Sequence, residues 1–145
     1  MNWNEIYMLP RNVTINSYLR NFQYKILNNI LFLNKKLFLI GKTNNPLCSF
    51  CKTTEETVIH LFHGCKFVQN LWFSLVRFLN QCISLPNLTP QSAIFGFLDA
   101  LNDKILSNHI LLIFKLYIYK AREKGSLHNY ILIIEIFRIK KTEHY

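Results

Sequence analysis

Three cysteines and one histidine stand at Cys48, Cys51, His60 and Cys65, in the spacing Cys-x2-Cys-x8-His-x4-Cys. Cys48 and Cys51 bracket Ser49-Phe50, a tight turn that can aim two thiolates at one point, and His60 and Cys65 arrive from the next segment. A stretch of 18 residues thus offers four donors that can close a tetrahedron around one Zn2+. Sulfur-rich sets of this kind leave no position open for a substrate, which is the pattern of structural rather than catalytic zinc. His63 competes with His60, because Cys65 follows either closely, although His63-Gly64-Cys65 would crowd two donors together. The alternative for the thiols is plain packing as small apolar groups.

The flanking pattern is helical. Ile15, Leu19, Phe22, Ile26, Ile30 and Leu33 recur at steps of three and four, which predicts a helix over 15–33, capped by Thr14 or Asn12. A short helix from Asn34 to Ile40 is expected to stop at Gly41, and Thr43-Asn44-Asn45-Pro46 reads as the loop leading to Cys48. Thr53-x-x-Glu56 has the form of a capping box, opening a short helix through His60 and Leu61, with Cys65 just past its end. A longer amphipathic helix follows, with Val68, Leu71, Trp72, Leu75, Phe78, Leu79 and Cys82 on one stripe, so Cys82 and Trp72 are expected in the core. After the loop from Ser84 to Pro90, Asp103 can cap a helix from Lys104 to about Glu123, with Ile105, His109, Leu112, Leu116 and Tyr119 on its apolar face. Gly125 would end it, and a last helix runs from about Leu127 onward. Tyr130–Ile134 is rich enough in β-branched residues to suit a strand equally well.

These elements give an all-α fold of five or six helices, a small helical domain with a Cys3His zinc knuckle between helices. Three segments are expected within one domain overall: residues 1–47, helical; 48–82, the knuckle and its following helix; and 83–145, basic helices. The final Lys140-Lys141-Thr142-Glu143-His144-Tyr145 carries no cap, glycine or proline, which suggests a fragment of a larger polyprotein.

Seventeen Lys and Arg against eight Asp and Glu give a formal charge of +9. The excess lies on the flanks: residues 1–47 and 104–145 each carry +5, whereas 48–103 carry −1. Such a surplus favours a polyanionic partner, most often nucleic acid, without implying sequence specificity. The start Met1-Asn2-Trp3-Asn4-Glu5 lacks a secretory pattern, so metal binding in a reducing intracellular compartment, nucleus or cytoplasm, is expected over disulfides. The most apolar run, Ile110 to Tyr119, is broken by Lys115 and is too short to span a bilayer, so no membrane association is expected.

The run Cys48-Ser49-Phe50-Cys51, the segment Glu55-Glu56-Thr57-Val58-Ile59-His60-Leu61-Phe62, then Cys65 and Leu71-Trp72 resemble the zinc-binding domain of non-LTR retrotransposon (LINE-like) reverse transcriptases. The upstream Phe22–Leu27 helix and Leu37 also look like the segment preceding the site in these polyproteins. The resemblance covers about residues 20–75. It implies Cys48, Cys51, His60 and Cys65 as zinc ligands, a position C-terminal to a polymerase, and a role in engaging element RNA or target DNA.

Catalysis is not implied. Polymerase and nuclease chemistry needs clustered carboxylates holding paired metal ions, and this chain has two aspartates, Asp99 and Asp103, and six scattered glutamates. No glycine-rich phosphate loop is present, so no enzyme is expected from this chain alone. For nucleic acid, Phe50 at the knuckle tip is the candidate for a base contact and Lys52 beside it for a phosphate. Lys115, Lys120, Arg122 and Lys124 on one helix, with Arg138, Lys140 and Lys141 on the next, are further phosphate candidates. Phe62, Phe67 and Phe73 invite the same stacking idea, although helical periodicity favours the core for Phe62. The competing function is a zinc-stabilised interaction module whose apolar helices from Lys104 onward dock on the polymerase or another partner.

Overall fold

The computed structural model describes residues 2–99 and 104–142, without the side chains of Lys140 and Thr142. Among the described residues the chain forms helices α1 (Trp3–Val13), α2 (Ser17–Leu27), α3 (Asn34–Leu39), α4 (Lys66–Leu79), α5 (Pro90–Phe95), α6 (Ile105–Ala121) and α7 (Asn129–Thr142), with a π-helical turn at His60–Gly64. The fold is all-α. Tyr130–Ile134 is helical, within α7.

Helix α6 lies at the centre. Every residue from Ser107 to Leu116 is buried, as is Ile118, so it is enclosed on all sides by α1, α2, α7 and the π turn. A helix buried all round needs apolar residues on every face, which explains the unbroken apolar run Ile110–Phe114. Lys115 is the exception: it is 1% exposed, and its Nζ donates to Gln23 Oε1 at 2.7 Å. Gln23 Nε2 in turn donates to Ile94 O at 2.7 Å, so one polar thread joins α6, α2 and α5. Burial pulls the Lys115 amine down from its ordinary value to about 7. Asn108 clamps the backbone after α5, accepting from Phe97 N at 2.7 Å and donating to Phe97 O at 3.0 Å. Gly96 is required beside it: its φ is +90°, and a Cβ there would sit 2.9 Å from Asn108 Oδ1.

Several local expectations give way to tertiary structure. Helix α1 was not anticipated from the sequence. Asn2 caps it by accepting from Asn4 N and Glu5 N, and Ile6, Leu9 and Pro10 are its buried residues. Pro10 breaks the amide pattern there and obscures the helical signal. Asn16, not Thr14 or Asn12, caps α2, accepting from Tyr18 N at 2.9 Å and Leu19 N at 3.1 Å. The helix ends at Leu27 rather than continuing to 33, because Asn29 adopts a left-handed φ of 54°. Ile15 and Ile30 are therefore exposed, while Leu31 and Leu33 enter the core from extended chain. Helix α5, capped by Thr89 and Ser92, was also missed. Cys82 lies beyond the end of α4 and is exposed, not core, and Phe78 is exposed too. Asp103, expected to cap α6, falls outside the described residues.

Trp72 and Phe62 are core residues, 6% and 0% exposed. Trp72 meets Phe114 of α6 edge-on at 4.9 Å between centroids, and Phe62 meets Phe22 of α2 at 6.2 Å. One continuous hydrophobic cluster runs from Leu19 to Ile139. No described helix is long and apolar enough to cross a membrane.

Candidate metal centre

The knuckle is a backbone device before it is a metal site. Leu47 and Glu55 pair as an isolated antiparallel bridge, Cys48 N donates to Thr54 O at 2.8 Å, and Lys52 N donates to Cys48 O at 3.0 Å. The reversal needs a left-handed residue, supplied by Lys52 with φ 58°. Cys48 and Cys51 are thereby turned toward the same side. Thr57, not Thr53, caps the next helical turn: its Oγ1 accepts from His60 N at 3.2 Å. The turn then widens, with Cys65 N donating to His60 O at 2.8 Å, five residues apart. Wide π turns of this kind concentrate at functional sites. Gly64 keeps the imidazole's place, since a Cβ there would lie 3.3 Å from His60 Nδ1. Cys65 then forms the N-cap position of α4.

These elements bring together all four donors expected from the sequence. Cys48 Sγ lies 3.9 Å from Cys65 Sγ, Cys51 Sγ lies 3.3 Å from His60 Nε2, and all four donor atoms fall within 4.8 Å of one another. A Zn2+ tetrahedron of three sulfurs at about 2.3 Å and one nitrogen at about 2.0–2.1 Å has S–S edges of about 3.8 Å and S–N edges of about 3.5 Å. The Cys48–Cys65 and Cys51–His60 edges lie within about 0.3 Å of these values, and the widest needs to close by about 1 Å. The donor set fits zinc, with four protein ligands and no open position. His63 stands outside this four-donor group, with its Nε2 3.2 Å from Leu88 O.

The thiols are tuned unequally. Burial pushes Cys51 up, but the Thr53 hydroxyl, the Thr53 and Thr54 N–H groups and His60 outweigh it and bring the thiol down to about 6. The Cys48 hydrogen bond lowers Cys65 to about 7, against the effect of burial and with help from the N–H groups of Phe67 and Val68 at the start of α4. Cys48, which shares its proton with Cys65 and is buried, is raised. Metal loading requires all three thiols to give up their protons.

A second layer of contacts fixes the knuckle. Glu56 is fully buried, and its carboxylate accepts from Asn34 N at 3.0 Å, Ser49 N at 2.9 Å and Ser49 Oγ at 2.8 Å. Arg122, at the end of α6, pairs with it at 2.6 Å and also reaches Asn34 Oδ1 at 3.2 Å and Phe32 O at 3.4 Å. Asn34 Nδ2 completes the net by donating to Leu47 O at 2.7 Å. Glu56 is thus no helix cap; it anchors the turn between the first two cysteines to α3 and α6. Its place in the Glu-Glu-Thr run was the available signal, but nothing local to it points to Arg122.

Residues 3–72 match the family model described as zinc-binding in reverse transcriptase. This segment is similar to the zinc-binding domain of reverse transcriptases. No curated protein and no solved structure matches the chain. The matched stretch contains all four ligands and ends at Trp72, yet Phe114, Lys115 and Arg122 beyond it complete the packing and charge pairing of the zinc-binding domain. A domain of this family is an accessory module rather than a catalytic one.

The nucleic-acid candidates divide. Phe50 is 9% exposed and packs in the core, so it presents no free ring at a knuckle tip. Lys115 is enclosed by α6's neighbours and donates to Gln23, and Arg122 is committed to Glu56 with its side chain 12% exposed. These two cations serve the core, not a phosphate. Lys52, Lys120, Lys124, Arg138 and Lys141 remain at the surface. Lys120 lies over the Tyr18 ring at 5.1 Å, and Arg138 pairs with Glu135 at 2.7 Å. The Lys140 side chain lies outside the described residues. Phe67, Phe73 and Phe78 are the exposed aromatics of α4.

Proposed function

We propose that this chain is the zinc-binding accessory module of a retrotransposon reverse transcriptase and binds RNA or DNA mainly through phosphate contacts. The family match joined to the formal charge of +9 carries this reading. Zinc holds the fold, and the exposed cations Lys52, Lys120, Lys124 and Lys141 supply the contacts. Phosphate-driven binding loses affinity steeply with salt. Titrating the zinc-loaded protein with labelled single-stranded RNA and DNA at rising salt should give a linear fall of log affinity with log salt. Absence of binding at low salt refutes it.

A second reading, docking on the polymerase portion of a parent polyprotein, draws on α7. The aliphatic density of α6 is consumed by the core, but Tyr130, Ile134 and Phe137 form an exposed stripe at helical spacing, 64%, 59% and 59% exposed. Co-purification with a polymerase fragment, abolished by Ile134→Glu, tests it.

A further inference from the structure

A groove of about 410 Å3 opens between the knuckle, α4 and the linker joining α6 to α7. Sites that take small ligands span about 300–1,000 Å3. Phe67, Asn70 and Ser74 line one wall from a single face of α4, Asn129 stands in the other, and Phe50 contributes apolar surface between them. The lining holds no carboxylate and no cation. The side-chain amides of Asn70 and Asn129 make no hydrogen bond within the described residues, so both are free to donate and accept. Phe67 is 45% exposed, with Lys66 Nζ 5.2 Å from its ring centroid. Lys124, exposed, immediately precedes the linker glycine that lines the opposite side. A flat ring surface, uncharged donors and acceptors at its edge, and a cation next to each wall together match the chemistry of a nucleotide unit within a strand: a neutral aromatic base flanked by phosphates.

We propose that this groove receives one unpaired nucleobase of a single-stranded nucleic acid, stacked on Phe67, with its edge hydrogen-bonded by Asn70 and Asn129 and its flanking phosphates met by Lys66 and Lys124. This rests on the nucleic-acid reading above and assigns it a base-contacting site. Lys66 and Lys124 contribute affinity that falls with salt; Phe67 and the amides contribute affinity that requires a base.

The test compares the zinc-loaded full chain with labelled oligonucleotides of about ten nucleotides, as RNA and as DNA, each beside an abasic strand carrying the same phosphates. The base-bearing strand should bind about tenfold tighter than the abasic one. Phe67→Ala and Phe67→Leu should erase that preference, Asn70→Ala should reduce it, and all three should keep the wild-type salt slope and zinc content. Lys66→Ala should instead weaken both strands alike and lower the slope by about one. If the wild type binds with a steep salt dependence but Phe67→Ala retains the preference, the groove assignment is overturned while phosphate binding stands. If the wild type binds no strand at low salt, the nucleic-acid reading fails and the groove assignment with it.

Discussion

Replacing Arg122 by alanine removes the only side-chain cation paired with Glu56 among the described residues and leaves a carboxylate of zero exposure behind. Breaking a buried ion pair from one side costs about 3–5 kcal/mol, because the remaining charge is desolvated and uncompensated. Three donors stay on Glu56, from Asn34 N, Ser49 N and Ser49 Oγ, so the lower end applies, about 3 kcal/mol. For a chain of this size that corresponds to a fall in Tm of about 6–12 °C. Arg122→Lys should not restore it, since one ammonium cannot reach Glu56, Asn34 and Phe32 together as the guanidinium fork does. Glu56→Gln with Arg122→Ala should cost less than the two single changes added, by about 1–3 kcal/mol of coupling. The assay is thermal and urea unfolding of the zinc-loaded protein, with zinc release to a chromogenic chelator followed in parallel. Because Glu56 holds Ser49 between the first two ligands, Arg122→Ala should also release zinc faster. An Arg122→Ala protein within about 0.5 kcal/mol of wild type, with unchanged release, would refute the claim that α6 braces the knuckle.

Cys51→Ser and His60→Ala should each lower zinc content from one ion per chain toward none, measured by elemental analysis. Chelation should unfold the knuckle, since closed sites contribute on the order of 10 kcal/mol to folding. His63→Ala should leave zinc content at one and cost about 1 kcal/mol, from its bond to Leu88 O; zinc loss there would reassign the ligand. Lys115 sets a pH dependence of defined sign. Its folded value is about 7 against an ordinary 10.5, so the penalty of burying the charge is full below pH 7. Between those values the unfolded chain holds the proton and the folded one does not, so stability rises with pH, by at most about 1.4 kcal/mol per pH unit. Lys115→Met should flatten that rise in urea melts between pH 7 and 10; an unchanged slope would count against a buried amine.

The metal site was legible because its donors lie close in sequence and their types are unmistakable: Cys48, Cys51, His60 and Cys65 meet with no contact from afar needed to specify them. The periodic segment of α4 was legible too, because a 3.6-residue apolar stripe is a local property, whereas the stripe expected on α6 gave way to burial on every face, with Ile105 exposed. What escaped was decided by competition between nearby groups. Asn16 rather than Thr14 caps α2, Thr57 rather than Thr53 caps the turn before His60, and Asn29 ends a helix whose apolar rhythm continues to Leu33. Exposure of Cys82 follows from α4 ending three residues earlier.

The type and order of the zinc ligands, the helical class and the cationic surplus were thus properties of the chain itself. Only the tertiary structure decided what each charge is for. Lys115 and Arg122 read in sequence like any other cations of a basic helix, yet one is enclosed against Gln23 and the other neutralises Glu56 from 66 positions away. Burial and long-range pairing depend on which helices surround a residue, and that is settled by packing around α6, not by neighbours along the chain.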